Sequence, residues 1–145
     1  MDLKSIIETV RAFDGALVVQ PEPGSAFPEI SWGDAYFYYA PNGIMPERTQ
    51  PYGTIITKNY PDDAGSQLDS PGRFRANVHA GRDAVAKLPA DIDLASVDTF
   101  MPHPLYASAG WVSVINPSAT SDRLIALLRQ AHDAARARAE RRSTV

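Results

Sequence analysis

The placement of proline constrains this chain more than any other sequence feature. All twelve prolines fall between Pro21 and Pro117, so both ends are free of them. Proline lacks an N–H and fixes φ, so it breaks helix interiors and settles at turns or strand edges. The middle of the chain is therefore cut into short pieces. Only the two ends have room for long helices.

Both ends carry the matching pattern. Leu3, Ile6, Ile7 and Val10 recur at i, i+3, i+4 and i+7, one face of a helix that Asp2 can cap and Gly15 can end. Leu124, Leu127, Leu128, Ala131, Ala134 and Ala135 form a second stripe, with Ser118, Thr120 and Ser121 as capping candidates. Between the stripes, residues 16–19, 32–39, 54–57, 73–80 and 111–115 read as strands. No repeat and no Gly/Ser linker divides the 145 residues. The expectation is a single α+β domain over residues 1–145, with 136–145 a frayed helix end. Its form is two layers, a largely antiparallel sheet of about five strands with the N- and C-terminal helices packed on it.

Composition removes several function classes. Without cysteine there is no disulfide framework, no zinc-cysteine site and no thiolate nucleophile, which fits a cytoplasmic setting. The longest strictly apolar run, residues 35–40, is far short of the roughly 20 residues that span a membrane. The start lacks the basic-then-apolar pattern of a secretory signal, and no membrane partner is expected. A net charge of −3 argues against nucleic-acid binding by the whole surface. The basic residues do gather at the end, with Arg129, Arg136, Arg138, Arg141 and Arg142 among the last seventeen positions. Interleaved with Asp133 and Glu140, they read first as a solvated helix end.

Standard catalytic signatures are missing: no phosphate-cradling glycine loop, no G-x-S-x-G elbow, no H-E-x-x-H. His79, His103 and His132 lie 24 and 29 residues apart, without local metal-ligand spacing. No metal and no cofactor is expected.

Three stretches carry chemistry. Residues 73–80 alternate, placing Arg73, Arg75, Asn77 and His79 on one strand face and Phe74, Ala76, Val78 and Ala80 on the other. Over a concavity, an arginine there can hold a carboxylate or phosphate, and His79 can move a proton near neutral pH. The plainer alternative is a solvated strand face. In the second stretch His103 stands between Pro102 and Pro104, which restrict its backbone and pre-position its ring for a ligand contact or proton transfer. Tyr106 and Trp111 nearby can wall an aromatic pocket or fill the core. In the third, Asp62, Asp63 and Asp69 offer paired carboxylates, or simply an exposed turn.

The succession Trp32-Gly33-Asp34-Ala35-Tyr36-Phe37-Tyr38, Thr54-Ile55-Ile56-Thr57, Leu68-Asp69-Ser70-Pro71-Gly72-Arg73-Phe74-Arg75-Ala76-Asn77, Met101-Pro102-His103-Pro104-Leu105-Tyr106 and Trp111-Val112-Ser113-Val114-Ile115-Asn116-Pro117 resembles domain-of-unknown-function family 6194, small bacterial proteins. The resemblance runs almost the whole chain and implies a fold rather than a reaction. More distantly, the order of elements looks like the YjbR/MmcQ-type fold, an antiparallel sheet with helices packed on it. The DNA-binding label often given to that group suits a chain of charge −3 poorly.

These readings combine into one expectation. The chain is a small-molecule-binding domain, with enzymatic activity left open, taking a small anionic or planar metabolite in a pocket on the sheet. His103 and His79 are the proton-transfer candidates, Arg75 the anchor, and Asn77, Tyr106 and Trp111 further ligand contacts. The alternative is a nucleic-acid- or protein-binding module using the arginine-rich last helix and the exposed sheet face.

Overall fold

Both apolar stripes become helices. The structure, a computed structural model, describes residues 1–143. Helix α1 (Leu3–Arg11) starts at Asp2, whose carboxylate accepts the Ser5 N–H at 2.8 Å. It ends at Ala12, before Gly15; that glycine instead takes φ +76° in the turn into the first strand, with the Tyr39 ring packed against it. Helix α3 runs from Ser121 to Ser143. Its entry is organised by Asp98, which takes the backbone N–H groups of Ser118, Ala119 and Thr120 and the Thr120 hydroxyl. The Ser121 hydroxyl has no partner, so Asp98 does what the serines and threonines were expected to do.

Six strands form one antiparallel sheet, one more than expected. They are β1 (Ala16–Val19), β2 (Ala35–Tyr39), β3 (Gly53–Ile56), β4 (Arg75–His79), β5 (Met101–Pro102) and β6 (Trp111–Ile115), in spatial order β1-β2-β3-β4-β6-β5. The added strand, β5, is two residues long and ends on Pro102, as an edge position tolerates. A short helix, α2 (Arg82–Ala86), which the sequence did not announce, follows β4. The strand expected over residues 32–39 begins only at Ala35. Gly33 takes φ +90°, and Asp34 turns inward to accept the Thr57 N–H and hydroxyl, the Lys58 ammonium and the Tyr60 hydroxyl.

One sheet face meets the helices. Ala35, Phe37, Ile55, Ala76, Val78, Val112 and Val114 bury against Ile6, Ile7, Val10, Leu124 and Leu128, with Leu3 and Leu127 partly buried at the margin. Each fully buried aliphatic side chain contributes roughly 1.5–3 kcal/mol before chain entropy is subtracted. At Gly53 a β-carbon would come within 3.0 Å of Leu128 and Phe37, so the close approach of α3 to β3 depends on that glycine.

The other face is polar in its middle. Register places Tyr36, Thr54, Asn77, Ser113 and Met101 in one cross-strand row, with Arg75 opposite Ile56 and Ile115, and His79 opposite Trp111. This face is not solvated at its centre: Arg75, Asn77 and Ser113 are buried. The β3–β4 and β5–β6 connections cover it, and among the described residues no helix is long and apolar enough to cross a membrane.

Candidate ligand-binding site

A cavity of about 460 Å³ opens on the polar face, within the size range of small-molecule pockets. Its floor comes from the strands, with Tyr36, Thr54, Ile56, Arg75, Asn77 and Trp111. One wall is Tyr60, Asp62 and Asp63 from the β3–β4 connection; the other is His103, Leu105, Tyr106 and Ala109 from the β5–β6 connection.

Arg75 is completely buried, and an arginine there needs a counter-charge. Asp63 supplies it through a two-pronged contact, Nη1 to Oδ1 at 3.0 Å and Nη2 to Oδ2 at 2.6 Å. Ser66 accepts a further Nη1 hydrogen at 2.9 Å, and Asn77 Oδ1 accepts from Nε at 2.9 Å. Burial alone would push the Asp63 carboxyl up, but the hydrogen bonds and charge of Arg75 hold it below its usual value. Four of the five guanidinium hydrogens are thus taken by protein acceptors. The fifth, on Nη2, points at His103 Nε2, 3.4 Å away.

The His103 ring is fixed by its own neighbours. Pro104 has no N–H, and the next two amides, Leu105 and Tyr106, both donate to His103 Nδ1, at 3.0 and 3.1 Å. The His103 N–H continues the β5–β6 ladder to the Trp111 carbonyl at 3.0 Å. Burial, reinforced by the Arg75 charge and opposed by Asp63, pushes the imidazole down to about 4, so it is neutral at pH 7. With Nδ1 accepting two amides, the single ring proton of the neutral form resides on Nε2. His103 Nε2 and Arg75 Nη2 thus meet at 3.4 Å beneath the cavity, where the guanidinium has no exposed surface.

Asn77 orients this arrangement. Its Oδ1 accepts from Arg75 and from Ser113 Oγ at 2.7 Å, and its Nδ2 donates to Thr54 Oγ1 at 3.0 Å. Aromatic rings surround it: His103 lies 4.9 Å from Tyr106 and 6.4 Å from Trp111, centroid to centroid. Tyr106 is 54 % exposed at the lip of the cavity. Deeper in, burial and the Asp34 carboxylate push the Tyr60 phenol up, so its hydroxyl keeps its proton and donates it to Asp34.

The structure therefore brings Arg75, Asn77, His103, Tyr106 and Trp111 to one cavity. His79 is not among the residues lining it; its ring packs against Trp111 and its Nε2 donates to the Ala109 carbonyl at 3.0 Å. Arg73 precedes β4 and donates to the Ala95 carbonyl. Of the three aspartates, Asp63 pairs with Arg75, Asp62 stands at the rim, and Asp69 accepts the Asn59 N–H. Ser66 and Thr54 escaped the sequence reading as site residues, and Asp63, read there as one of a set of paired carboxylates or part of an exposed turn, was not matched with Arg75. A signal for that pairing was available: a buried strand arginine calls for a carboxylate, and residues 62 and 63 lay nearby in the chain. Among the described residues no group of three or more histidine, aspartate or glutamate side chains is arranged to hold a metal ion.

Residues 1–144 match a family model described as a family of unknown function, DUF6194. The chain belongs to this family. The match spans every element that builds the cavity, from Tyr36 on β2 to Trp111 on β6. No curated protein and no solved structure matches the chain.

Proposed function

We propose that this DUF6194 member is a cytoplasmic small-molecule-binding domain whose ligand lies on the polar sheet face, against the His103, Tyr106 and Trp111 side chains. One observation carries this reading: a cavity of about 460 Å³ opens on the polar sheet face and is lined by His103, Tyr106 and Trp111. The aromatic rings of Tyr106 and Trp111 suit a planar ligand body. Where the ligand is a substrate, the neutral imidazole would act as a donor that polarises its carbonyl, since Nε2 already carries the proton and cannot serve as a base.

The test is a thermal-shift and NMR screen of planar metabolites against the full chain, paired with long-range ¹H–¹⁵N spectra of the histidine rings. A hit should shift the His103 Nε2 resonance and weaken at least tenfold in Trp111→Leu. A His103 ring carrying its proton on Nδ1, or hits that bind Trp111→Leu equally well, would remove the reading.

A further inference from the structure

The connections that border the cavity are held very differently. The β3–β4 connection is pinned by the Arg75 guanidinium on Asp63 and Ser66 and by Tyr60 on Asp34. In the β5–β6 connection His103 takes the Leu105 and Tyr106 amides, and the Tyr106 carbonyl accepts the Trp111 N–H at 3.2 Å. The β2–β3 connection also reaches the cavity, through Gln50 and Pro51 at its end. Yet among the described residues, 41–51 make no hydrogen bond or ion pair beyond the loop itself and Ala40 at its start.

We propose that residues 41–51 form a lid that closes over the cavity and seats Ile44 and Met45 on Leu105 and Tyr106. Its purpose rests on the ligand-binding reading above, whereas the motion is tested without a ligand.

Both lips carry apolar side chains in water. On the loop, Ile44 is 69 % exposed and Met45 is 44 % exposed; Leu105 and Tyr106 stand exposed on the β5–β6 connection. Closure withdraws these side chains from water together, which supplies its driving force. Ordering the loop opposes closure, and a ligand beneath it adds the contact that shifts the balance. Pro41, Pro46 and Pro51 reduce the freedom lost on closing.

Topology puts the two lips within reach. The loop leaves β2 at Tyr39 and enters β3 at Gly53, at the sheet end where β4 stops at His79 and β6 starts at Trp111. The His79 N–H bonds the Tyr52 carbonyl, and His79 pairs with Trp111 in the ladder. Two strand spacings, roughly 10 Å, thus separate the base of the loop from the start of β6. The stretch from Met45 to Pro51 can extend to roughly 20 Å. Helices α1 and α3 fill the opposite sheet face, so the polar face is the one the loop can cover.

The chain has no cysteine, so an introduced pair is tested without competing thiols. Met45→Cys with Leu105→Cys is oxidised by glutathione disulfide at low micromolar protein and followed by mass spectrometry. Met45→Cys with Val97→Cys is the control, since Val97 bridges to Ile115 at the far end of β6. A disulfide needs its α-carbons within about 7 Å, the approach that closure brings to the first pair. The expected result is an intramolecular bond forming at least tenfold faster in the first pair than in the control. Equal rates, no bond, or bonds only between two chains would overturn the lid. Hydrogen exchange on the unsubstituted chain guards against a misfolded variant: amides of the loop should exchange at least tenfold faster than those of Leu105 and Tyr106. Equal protection would also overturn the lid. Either failure leaves the ligand-binding reading standing, and a ligand screen without hits leaves the trapping result intact.

Discussion

The Tyr52 hydroxyl and His132 Nδ1 lie 2.9 Å apart inside the protein, tying the segment entering β3 to the middle of α3. The other ring nitrogen, Nε2, donates to the Asp14 carbonyl at 2.8 Å, so Nδ1 is the acceptor and Tyr52 the donor. Three aromatic rings, from Phe13, Tyr39 and Tyr52, pack around the imidazole at centroid distances of 5.3 to 5.5 Å. This histidine is a strut between the helix, the sheet and the α1–β1 turn. Removing the hydroxyl in Tyr52→Phe leaves Nδ1 buried without a donor, at a cost of about 1–3 kcal/mol. Urea denaturation should show the loss as a lower midpoint at unchanged slope. A variant as stable as the parent would mean that the bond contributes nothing net.

Arg75 and Asp63 make a sharper case, because breaking a buried pair differs from replacing it. Asp63→Asn leaves the guanidinium uncompensated and should destabilise by about 3–5 kcal/mol. The double replacement Asp63→Leu with Arg75→Met should recover much of that loss, since two apolar side chains need no counter-charge. The comparison is a double-mutant cycle by chemical denaturation. Additive losses would show that the two residues stabilise the fold independently.

The pH dependence follows from His103. Its folded-state value, pushed down to about 4, lies below the ordinary 6.5, so the unfolded chain takes the proton first. Between those values the unfolded state holds up to one proton more than the folded state. Stability therefore falls as pH drops from 6.5 toward 4, and above that window the contribution is fully present. At about 1.4 kcal/mol per unit, the total is on the order of 3 kcal/mol. Asp63, held below its usual value, adds a further loss only at lower pH. Denaturation curves at half-unit steps should show the slope, and His103→Gln should flatten it. An unchanged slope in the variant would place the sensitivity elsewhere.

Much of this was legible in the chain, and for a physical reason. Stripes such as Leu3-Ile6-Ile7-Val10 record one buried helix face, and the alternation from Arg75 to His79 records which side chains share a sheet face. Periodicity does not say what lies above that face. The polar side of β4 is covered by irregular segments, and a stretch such as Tyr60-Pro61-Asp62-Asp63-Ala64-Gly65 looks the same whether it hangs in solvent or folds over an arginine. Asp34 was misread for a related reason. Its neighbours have strand character, yet four donors from residues 57–60 pull its carboxylate inward and end the strand at Ala35. Likewise, the two prolines beside His103 announced a stiff segment. Only the fold shows that the amides of Leu105 and Tyr106 decide which nitrogen carries the proton.

The His103 ring and the Arg75 guanidinium are held in different ways. The ring of His103 is clamped by amides two and three residues further along, whereas the guanidinium of Arg75 relies on Asp63 and Ser66 in a separate loop. Main-chain amides survive almost any side-chain substitution at Leu105 and Tyr106 other than proline. Inherited variation in the β3–β4 loop can therefore alter the partner of Arg75 and that wall of the cavity, while the imidazole keeps its direction. A lineage carrying this fold can change its ligand by rewriting one loop and leaving the other untouched.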